Sequence, residues 1–239
     1  MNRGPPNPLC VAGDGHQRIN RHIKIPLLRA GINVVGRSRR LKINYRTSEE
    51  IRLWAHSVLR GMEIDDLDGG KADTTGDRSL FKAGEPETVR VASLEQAGVE
   101  VAKWVKGLCR QPNFDTHEIC VVPVSDEVRS ALTAQNIQSH ELQPHKPDPG
   151  QIEPGVRIGS MRRIKGLEFK AVAMVIDGKS DDIRRLERYV AATRARERLL
   201  VVEWRVAWMR WLDFTLPENK SRKSGGCGWK FRVMSAVIP

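Results

Sequence analysis

Short apolar runs alternate with amphipathic helical patterns along most of this chain. The strand candidates are LCVAG (9–13), LKINY (41–45), VRVAS (89–93), EICVVPV (118–124), VRIGS (156–160), AVAMVID (171–177) and LLVVE (199–203). Several of these runs are apolar throughout, which is typical of strands that are buried on both faces of a parallel sheet. Because helical patterns separate them, we expect an α/β fold in which helices flank a parallel sheet.

Helix-start patterns support this alternation. Thr47 and Glu50 have the spacing of a capping box before one apolar-periodic segment, and Ser93 and Gln96 have the same spacing before another. The side-chain oxygens of such residues accept hydrogen bonds from the unpaired amides of a helix's first turn. We therefore predict that two helices begin at these positions.

Two further helices are expected, one after Ser125 and one over about 183–198. The segments 61–88 and 140–155 have no apolar periodicity, and the second of them carries four prolines. Glycine and proline interrupt regular structure, so we predict that both segments are loops.

The charge balance points toward an anionic partner. Lys and Arg number 40 against 29 Asp and Glu, which gives a formal net charge of +11 over 239 residues. Such an excess favours nucleic acid as a partner, although many basic proteins bind nothing specific. No apolar run approaches the ~18 residues that span a bilayer, so we expect no membrane partner.

The cysteine and histidine residues do not predict a metal site. The cysteines are Cys10, Cys109, Cys120 and Cys227. They form no CxxC pair, which fits unpaired thiols in a reducing cytoplasm. His117 and Cys120 have a ligand-like spacing, but Cys120 lies inside an apolar strand pattern. Because zinc needs four converging ligands, we predict no bound metal.

Two polar segments follow the first two strand candidates. GDGHQRI (13–19) places Gln17 where an amide can donate a hydrogen bond to a phosphate oxygen or orient an attacking water, although the segment is also compatible with a simple turn. NYRTSEEI (44–51) places Tyr45, whose ring can stack on a base, beside Arg46, whose guanidinium suits phosphate. The alternative is a tyrosine at a strand end and an arginine on a solvated helix start.

A third segment, GSMRRIKGLEF (159–169), concentrates positive charge beside Gly166. Its basic residues are Arg162, Arg163 and Lys165. A flexible glycine permits close approach of the backbone to a polyanion. Glu168 is an acid among these bases, so it is either their ion-pair partner or a group that binds a hydroxyl.

The fourth segment, RYVAATRARERL (188–199), is expected on the last predicted helix, where Arg194 follows a small, apolar stretch. An arginine that projects from such a surface can reach a transferring phosphoryl group and stabilise its developing charge. The alternative is a solvated basic face made by Arg194, Arg196 and Arg198.

In this order the four segments resemble the later motifs of superfamily 1 DNA helicases of the UvrD/Rep type. GDGHQRI is similar to motif III, NYR to motif IV, SMRRIKGLEF to motif V and YVAATRAR to motif VI. The resemblance covers about 8–203. It implies the second, RecA-like motor domain of a helicase that couples ATP hydrolysis to movement along single-stranded DNA.

The resemblance implies a nucleotide site and assigns residues to it. Gln17 would sense the γ-phosphate. Arg46 and Arg194 would contact that phosphate across the cleft between two motor domains. Tyr45 would stack on adenine, and Glu168 would bind the ribose. Gly166 would lie in the same nucleotide-binding segment.

The resemblance also implies a path for single-stranded DNA. The residues along it would be Ser160, Arg162, Arg163 and Lys165. The family has histidine at the position of Arg162, so this chain departs from the family pattern at one of the DNA contacts.

The P-loop, which holds the phosphates of ATP in this family, does not occur in these residues. The P-loop pattern is G-x-x-x-x-G-K-[ST]. The sequence has Gly-Lys pairs at 70–71 and 178–179, but the first glycine of the pattern is replaced by Asp65 and Ala173, respectively. Asp126 and Glu127 imitate a magnesium-binding motif, and we interpret them as acids at a helix start. We therefore expect ATP and Mg²⁺ only if a P-loop-bearing half is supplied, for example by a separate chain.

This interpretation divides the chain into three parts. Residues 1–24 would be a remnant of the first motor domain with motif III, 25–203 the second motor domain, and 204–239 a basic tail with Trp204, Trp208, Trp211 and Trp229. We expect the chain alone to be inactive as an ATPase. The alternatives are a non-catalytic module that binds single-stranded nucleic acid and a truncated gene product without activity.

Overall fold

The computed structural model describes residues 10–17, 19, 27–32, 39–64, 71–72, 76–179 and 181–205. The strands are β1 (Ile43–Asn44), β2 (Arg78–Ser79), β3 (Glu87–Val91), β4 (Ile119–Val122), β5 (Ser139–Glu141), β6 (Val156–Ile158), β7 (Phe169–Ile176) and β8 (Ala195–Trp204). The α-helices are α1 (Glu49–Val58), α2 (Leu94–Leu108), α3 (Asp126–Ala134) and α4 (Asp182–Ala192).

Six strands form one sheet in the order β3-β8-β7-β4-β6-β5. Every neighbouring pair in this sheet is parallel. Strands β1 and β2 pair with each other in a separate parallel ladder. The predicted α/β fold with a parallel sheet flanked by helices is therefore confirmed.

The main sheet is covered on both faces. Helices α1 and α4 contribute to one apolar cluster, and helices α2 and α3 contribute to the other. Strand β7 alternates between them, because Val172 and Met174 belong to the first cluster while Ala171 and Ala173 belong to the second. This two-sided burial explains why the strand is an unbroken apolar run in the sequence.

The helix starts agree only partly with the predicted capping boxes. Ser93 caps α2 as predicted, since its Oγ accepts from the Gln96 amide at 3.3 Å. Helix α1 begins one residue later than predicted, because Ser48 is its N-cap and Thr47 lies outside the helix. Helix α3 follows Ser125, whose Oγ accepts from the Val128 amide at 3.2 Å.

The predicted last helix is wrong beyond Ala192. Helix α4 ends there, and residues from Ala195 onward belong to β8. Arg194 therefore lies in the connection between them, where its carbonyl oxygen accepts from the Phe169 amide at 2.9 Å. Pairing with β7 extends β8 beyond the predicted 199–203 and draws the residues after the helix into the sheet.

Three further predictions differ from the structure or lie outside its described part. LCVAG forms no strand over its described residues 10–13. Strand β5 lies at the start of the predicted loop 140–155, and β2 lies inside the predicted loop 61–88. Trp204 is the last residue of β8, whereas Trp208, Trp211, Trp229 and the basic stretch at 220–223 are outside the described residues.

The chain divides into the units Met1–Val206 and Ala207–Pro239, and the described residues all belong to the first. Within that part, no helix is both long enough and apolar enough to cross a bilayer.

Candidate functional site

The loop after β1 is tied to the connection between α4 and β8. The Ser48 amide donates to the Arg196 carbonyl at 3.0 Å, and the Thr47 hydroxyl donates to the Thr193 carbonyl at 3.3 Å. Within the loop, Asn44 Oδ1 accepts from the Arg46 amide at 2.8 Å. These bonds place residues 44–48, which include NYR, against residues 193–196.

Arg46 forms an ion pair with Glu168, with 2.5 Å between Nε and Oε1. Glu168 directly precedes β7, and Arg194 directly precedes β8. Because β7 and β8 are parallel neighbours, both residues lie at the amino edge of the sheet. We refer to these three residues as the arginine cluster. It unites side chains from three of the four segments.

Arg194 is the most buried member of the arginine cluster, with only 1% of its surface exposed. Its guanidinium donates to the Val190 carbonyl at 3.1 Å, the Leu167 carbonyl at 3.5 Å and the Thr193 hydroxyl at 3.2 Å. All three acceptors are neutral. Among the described residues, no carboxylate lies within ion-pair distance of Arg194.

The environment of Arg194 disfavours its charge. Burial and, to a smaller extent, the positive charge of Arg46 together lower its pKa to about 10, while the negative charge of Glu168 opposes the shift. At neutral pH the guanidinium is still protonated. A buried cation without an anionic partner is costly for folding and is a common feature of sites that bind anions.

Tyr45 and Gly166 flank the arginine cluster in sequence. The Tyr45 side chain is prominent on the surface, with 69% of the residue exposed. Gly166 has φ +95°, a conformation that L side chains rarely adopt, and no heavy atom lies within 4 Å of where a Cβ would be. The ring of Tyr45 and the turn at Gly166 are therefore both open to solvent.

The segment with Gln17 lies against helices α1 and α4. The His16 ring is 5.7 Å from the His56 ring and 5.6 Å from the Tyr189 ring. Gln17 Nε2 donates to Asp14 Oδ2 at 3.0 Å. The Gln17 amide group is therefore held by its own turn, and it forms no hydrogen bond with either arginine of the cluster.

Asp14 is a site residue to which the sequence analysis gave no role of its own. Burial tends to raise its pKa, but hydrogen bonds from His16 and Gln17 outweigh burial and lower the pKa below its ordinary value. The negative charge of Asp14 also acts on Arg194 and tends to raise its pKa. A carboxylate that follows a strand candidate was the only sequence feature that could have identified it.

The segment between β6 and β7 carries the predicted DNA-contacting residues. Ser160 Oγ accepts from the Arg163 amide at 3.1 Å, which tightens the turn. Arg162 forms an ion pair with Glu187 of α4 at 3.0 Å. Arg163 forms an ion pair with Asp148. Lys165 is exposed. Two of the three bases are thus already paired with carboxylates that the sequence analysis did not identify.

No metal site was predicted. Among the described residues, no group of three or more His, Cys, Asp or Glu side chains could hold a metal ion. Asp126 and Glu127, which imitate a magnesium-binding motif, lie in the first turn of α3, where acids are favoured by the helix dipole.

Comparison with solved structures gives a likeness to a domain of a possible DNA helicase. The chain is similar to the C-terminal domain of that protein, from Lactobacillus plantarum WCFS1, with a TM-score of 0.48 and 19% identity over 67% of this chain and 88% of that one. No protein-family model matches the sequence, and no curated protein matches it.

Proposed function

We propose that this chain is the second motor domain of a UvrD/Rep-type, ATP-dependent DNA helicase. In this proposal it contributes Arg46 and Arg194 to an ATP site that a P-loop-bearing domain completes. The observation that carries the proposal is the arginine cluster, in which Arg194 is a buried cation with no carboxylate within ion-pair distance among the described residues.

The chemistry of phosphoryl transfer suits such a pair of arginines. Negative charge on the γ-phosphoryl oxygens must be stabilised while the bond to the leaving group breaks, and positioned guanidinium groups do this without a proton transfer. Arg46 offers its charge from a loop, and Arg194 offers its charge from the connection before β8. Because Thr47 bonds to Thr193, the two arginines belong to one hydrogen-bonded unit.

The remaining site residues take the roles that the family resemblance implies. Tyr45 stacks on the adenine, and Glu168 binds the ribose after releasing Arg46. Gln17 senses the γ-phosphate. ATP and Mg²⁺ bind only with the other domain, because these 239 residues contain no P-loop pattern. The loop with Ser160, Arg162, Arg163 and Lys165 lies along single-stranded DNA.

A second candidate function is a module that binds single-stranded nucleic acid without catalysis. It is favoured by one observation, that Arg194 is too buried to meet a ligand. Arg46 is neutralised by Glu168, and Arg194 is 1% exposed. A phosphate can reach Arg194 only after side chains rearrange.

Binding of a fluorescently labelled oligothymidylate separates these functions. A helicase domain binds it with an affinity that falls with salt, because phosphate contacts release counterions. With a P-loop-bearing motor domain present, ATP and Mg²⁺ change that affinity. Salt-sensitive binding that nucleotide never alters supports the non-catalytic module. If the chain does not bind the oligonucleotide at any salt concentration, both candidates are wrong.

A further inference from the structure

Arg162 and Arg163 are adjacent in the sequence, but their guanidinium groups differ in how many N–H donors remain available to bind a ligand. The Arg163 side chain is 23% exposed, and it uses Nη2 on Asp148 and Nε on the Gln143 carbonyl. The Arg162 side chain is 60% exposed and uses only Nε, on Glu187. Among the described residues, nothing accepts from either Nη group of Arg162, so its outer edge faces solvent.

The backbone that carries Arg162 is held in place. Ile164 is fully buried beneath the turn, and its amide donates to the Ser160 carbonyl at 3.2 Å. The Lys165 amide donates to the Arg162 carbonyl at 3.3 Å. These contacts hold the backbone of the turn, and the ion pair with Glu187 restricts the Arg162 side chain.

Glu187 is itself fixed by the helix that carries it. In the preceding turns of α4, Arg185 donates from Nε to the Val58 carbonyl at 2.7 Å, and Asp181 caps the helix start. Two residues later, Tyr189 is buried against α1. The carboxylate therefore projects from a rigid element, and only 21% of the side chain is exposed.

We infer that Glu187 is a positioning residue, which holds Arg162 through Nε so that both Nη groups meet a backbone phosphate of single-stranded DNA. This inference rests on the proposed function and adds a residue to it. A guanidinium held on one edge by a carboxylate can still bind phosphate with the opposite edge, because its five N–H donors point outward in a fixed fork. Pre-orientation lowers the entropy lost when the phosphate binds.

Glu187 also connects the DNA-binding loop to the nucleotide site. It lies on the helix that leads directly into Thr193 and Arg194. The same helix carries Tyr189, against which the ring of His16 packs. The ion pair therefore joins the loop with Arg162 to the helix that precedes Arg194.

The test is oligothymidylate binding by Arg162→Ala, Glu187→Gln, Glu187→Asp and the double variant Arg162→Ala/Glu187→Gln across a salt series. We expect Glu187→Gln to weaken binding roughly 3- to 10-fold and to lower the salt slope by about 0.7, as loss of one phosphate contact does on a single strand. Glu187→Asp withdraws the carboxylate without changing the net charge, and we expect it to weaken binding too. The double variant should bind like Arg162→Ala.

The matched control is Glu100→Gln, which makes the same charge change on α2, on the opposite face of the sheet, where Glu100 pairs with Lys103 at 3.8 Å. It should not lower the salt slope. The inference is wrong if Glu187→Gln binds the oligonucleotide as well as the unmodified chain does. It is also wrong if Glu187→Gln tightens binding both with Arg162 present and with Arg162 replaced by alanine, because Glu187 then acts only as a repelling charge. If the unmodified chain does not bind the oligonucleotide, the proposed function and the inference both fail.

Discussion

The hydroxyl of Thr47 donates a hydrogen bond to the carbonyl of Thr193 over 3.3 Å, although 146 residues separate the two in the chain. Thr47 is 1% exposed and Thr193 is 8% exposed, so water does not replace this bond if it is lost. It joins the loop with Arg46 to the connection with Arg194. Together with the bond from the Ser48 amide to the Arg196 carbonyl, it holds the two arginines in their relative positions.

Thr47→Val tests this bond, because valine keeps the shape and removes the donor. We expect the free energy of unfolding to fall by roughly 1–2 kcal/mol, since the Thr193 carbonyl is left buried without this donor. Urea denaturation followed by circular dichroism measures the change. Thr47→Ser keeps the hydroxyl and is the control, with an expected loss below that of the valine variant. Equal stability of Thr47→Val and the unmodified chain would contradict the structural role.

Arg194→Met separates a functional arginine from a structural one. A charge that is buried without a carboxylate costs folding free energy, and an apolar side chain of similar length removes that cost. We expect the variant to be within about 1 kcal/mol of the unmodified chain, or more stable, in urea denaturation. A loss above roughly 3 kcal/mol would mean that the bonds to the Val190 and Leu167 carbonyls make Arg194 a structural residue.

The titration of Glu49 should make the free energy of unfolding depend on pH in the acidic range. Hydrogen bonds from Arg52 and from the Ser79 amide outweigh burial and lower the pKa of Glu49 from 4.5 to about 2. The folded state therefore binds this proton less readily than the unfolded state, so the stabilisation is present above pH 4.5 and is lost as pH falls toward 2.

Glu49→Gln removes this titration. At neutral pH we expect it to lower the free energy of unfolding by about 1–3 kcal/mol, and the difference from the unmodified chain should shrink as the pH is lowered. Urea denaturation at several pH values measures both. A difference that does not change with pH would mean that the charge of Glu49 is not the source of the stabilisation.

The titration of His56 should make the packing of the segment with His16 and Gln17 against α1 and α4 dependent on pH. Burial lowers the pKa of His56 below 6.5, with a further contribution from nearby positive charges. The groups that act on it are His16, Arg52, Asp77 and Asp14. Because a neutral His56 fits the folded state better, this contribution to stability is present above pH 6.5 and is lost as pH falls through the lowered pKa.

Amide hydrogen exchange of His16 and Gln17, corrected for intrinsic rates, measures this docking. We expect protection to decrease on acidification in the unmodified chain and to depend less on pH in His56→Gln. The Val101 amide, in the middle of α2 on the opposite face, serves as an internal reference. Protection of His16 that is unchanged across the titration of His56 would contradict this account.

The sequence predicts the buried strands better than the partly exposed ones, for a physical reason. Strand β4, most of β7 and the middle of β8 are buried on both faces, so they are apolar there, and such runs stand out in the sequence. Strands β2 and β5 have two and three residues and are partly exposed, so neither forms an apolar run. The end of α4 was misplaced because only pairing with β7 draws the residues after Ala192 into a strand.

The candidate site is likewise only partly predictable from the sequence. Arg46, Glu168 and Arg194 are recognisable from local segments, and the structure brings them together. Their environment is not local, because Glu187 is 25 residues from Arg162 and Asp148 is 15 residues from Arg163. The burial of Arg194 also depends on packing between elements distant in sequence. Pairing and burial, rather than residue identity, are what the sequence leaves undetermined.

The most direct test of the central claim is steady-state ATP hydrolysis by the chain alone and with a separate motor domain that carries the Walker A and Walker B motifs, each with and without single-stranded DNA. We predict no hydrolysis by the chain alone, and DNA-stimulated hydrolysis by the mixture that Arg46→Ala and Arg194→Ala abolish. Arg196→Ala, which removes an exposed arginine two residues away, should leave the rate unchanged. Hydrolysis by the chain alone that Arg194→Ala abolishes, or hydrolysis by the mixture that Arg194→Ala does not affect, would contradict the shared ATP site.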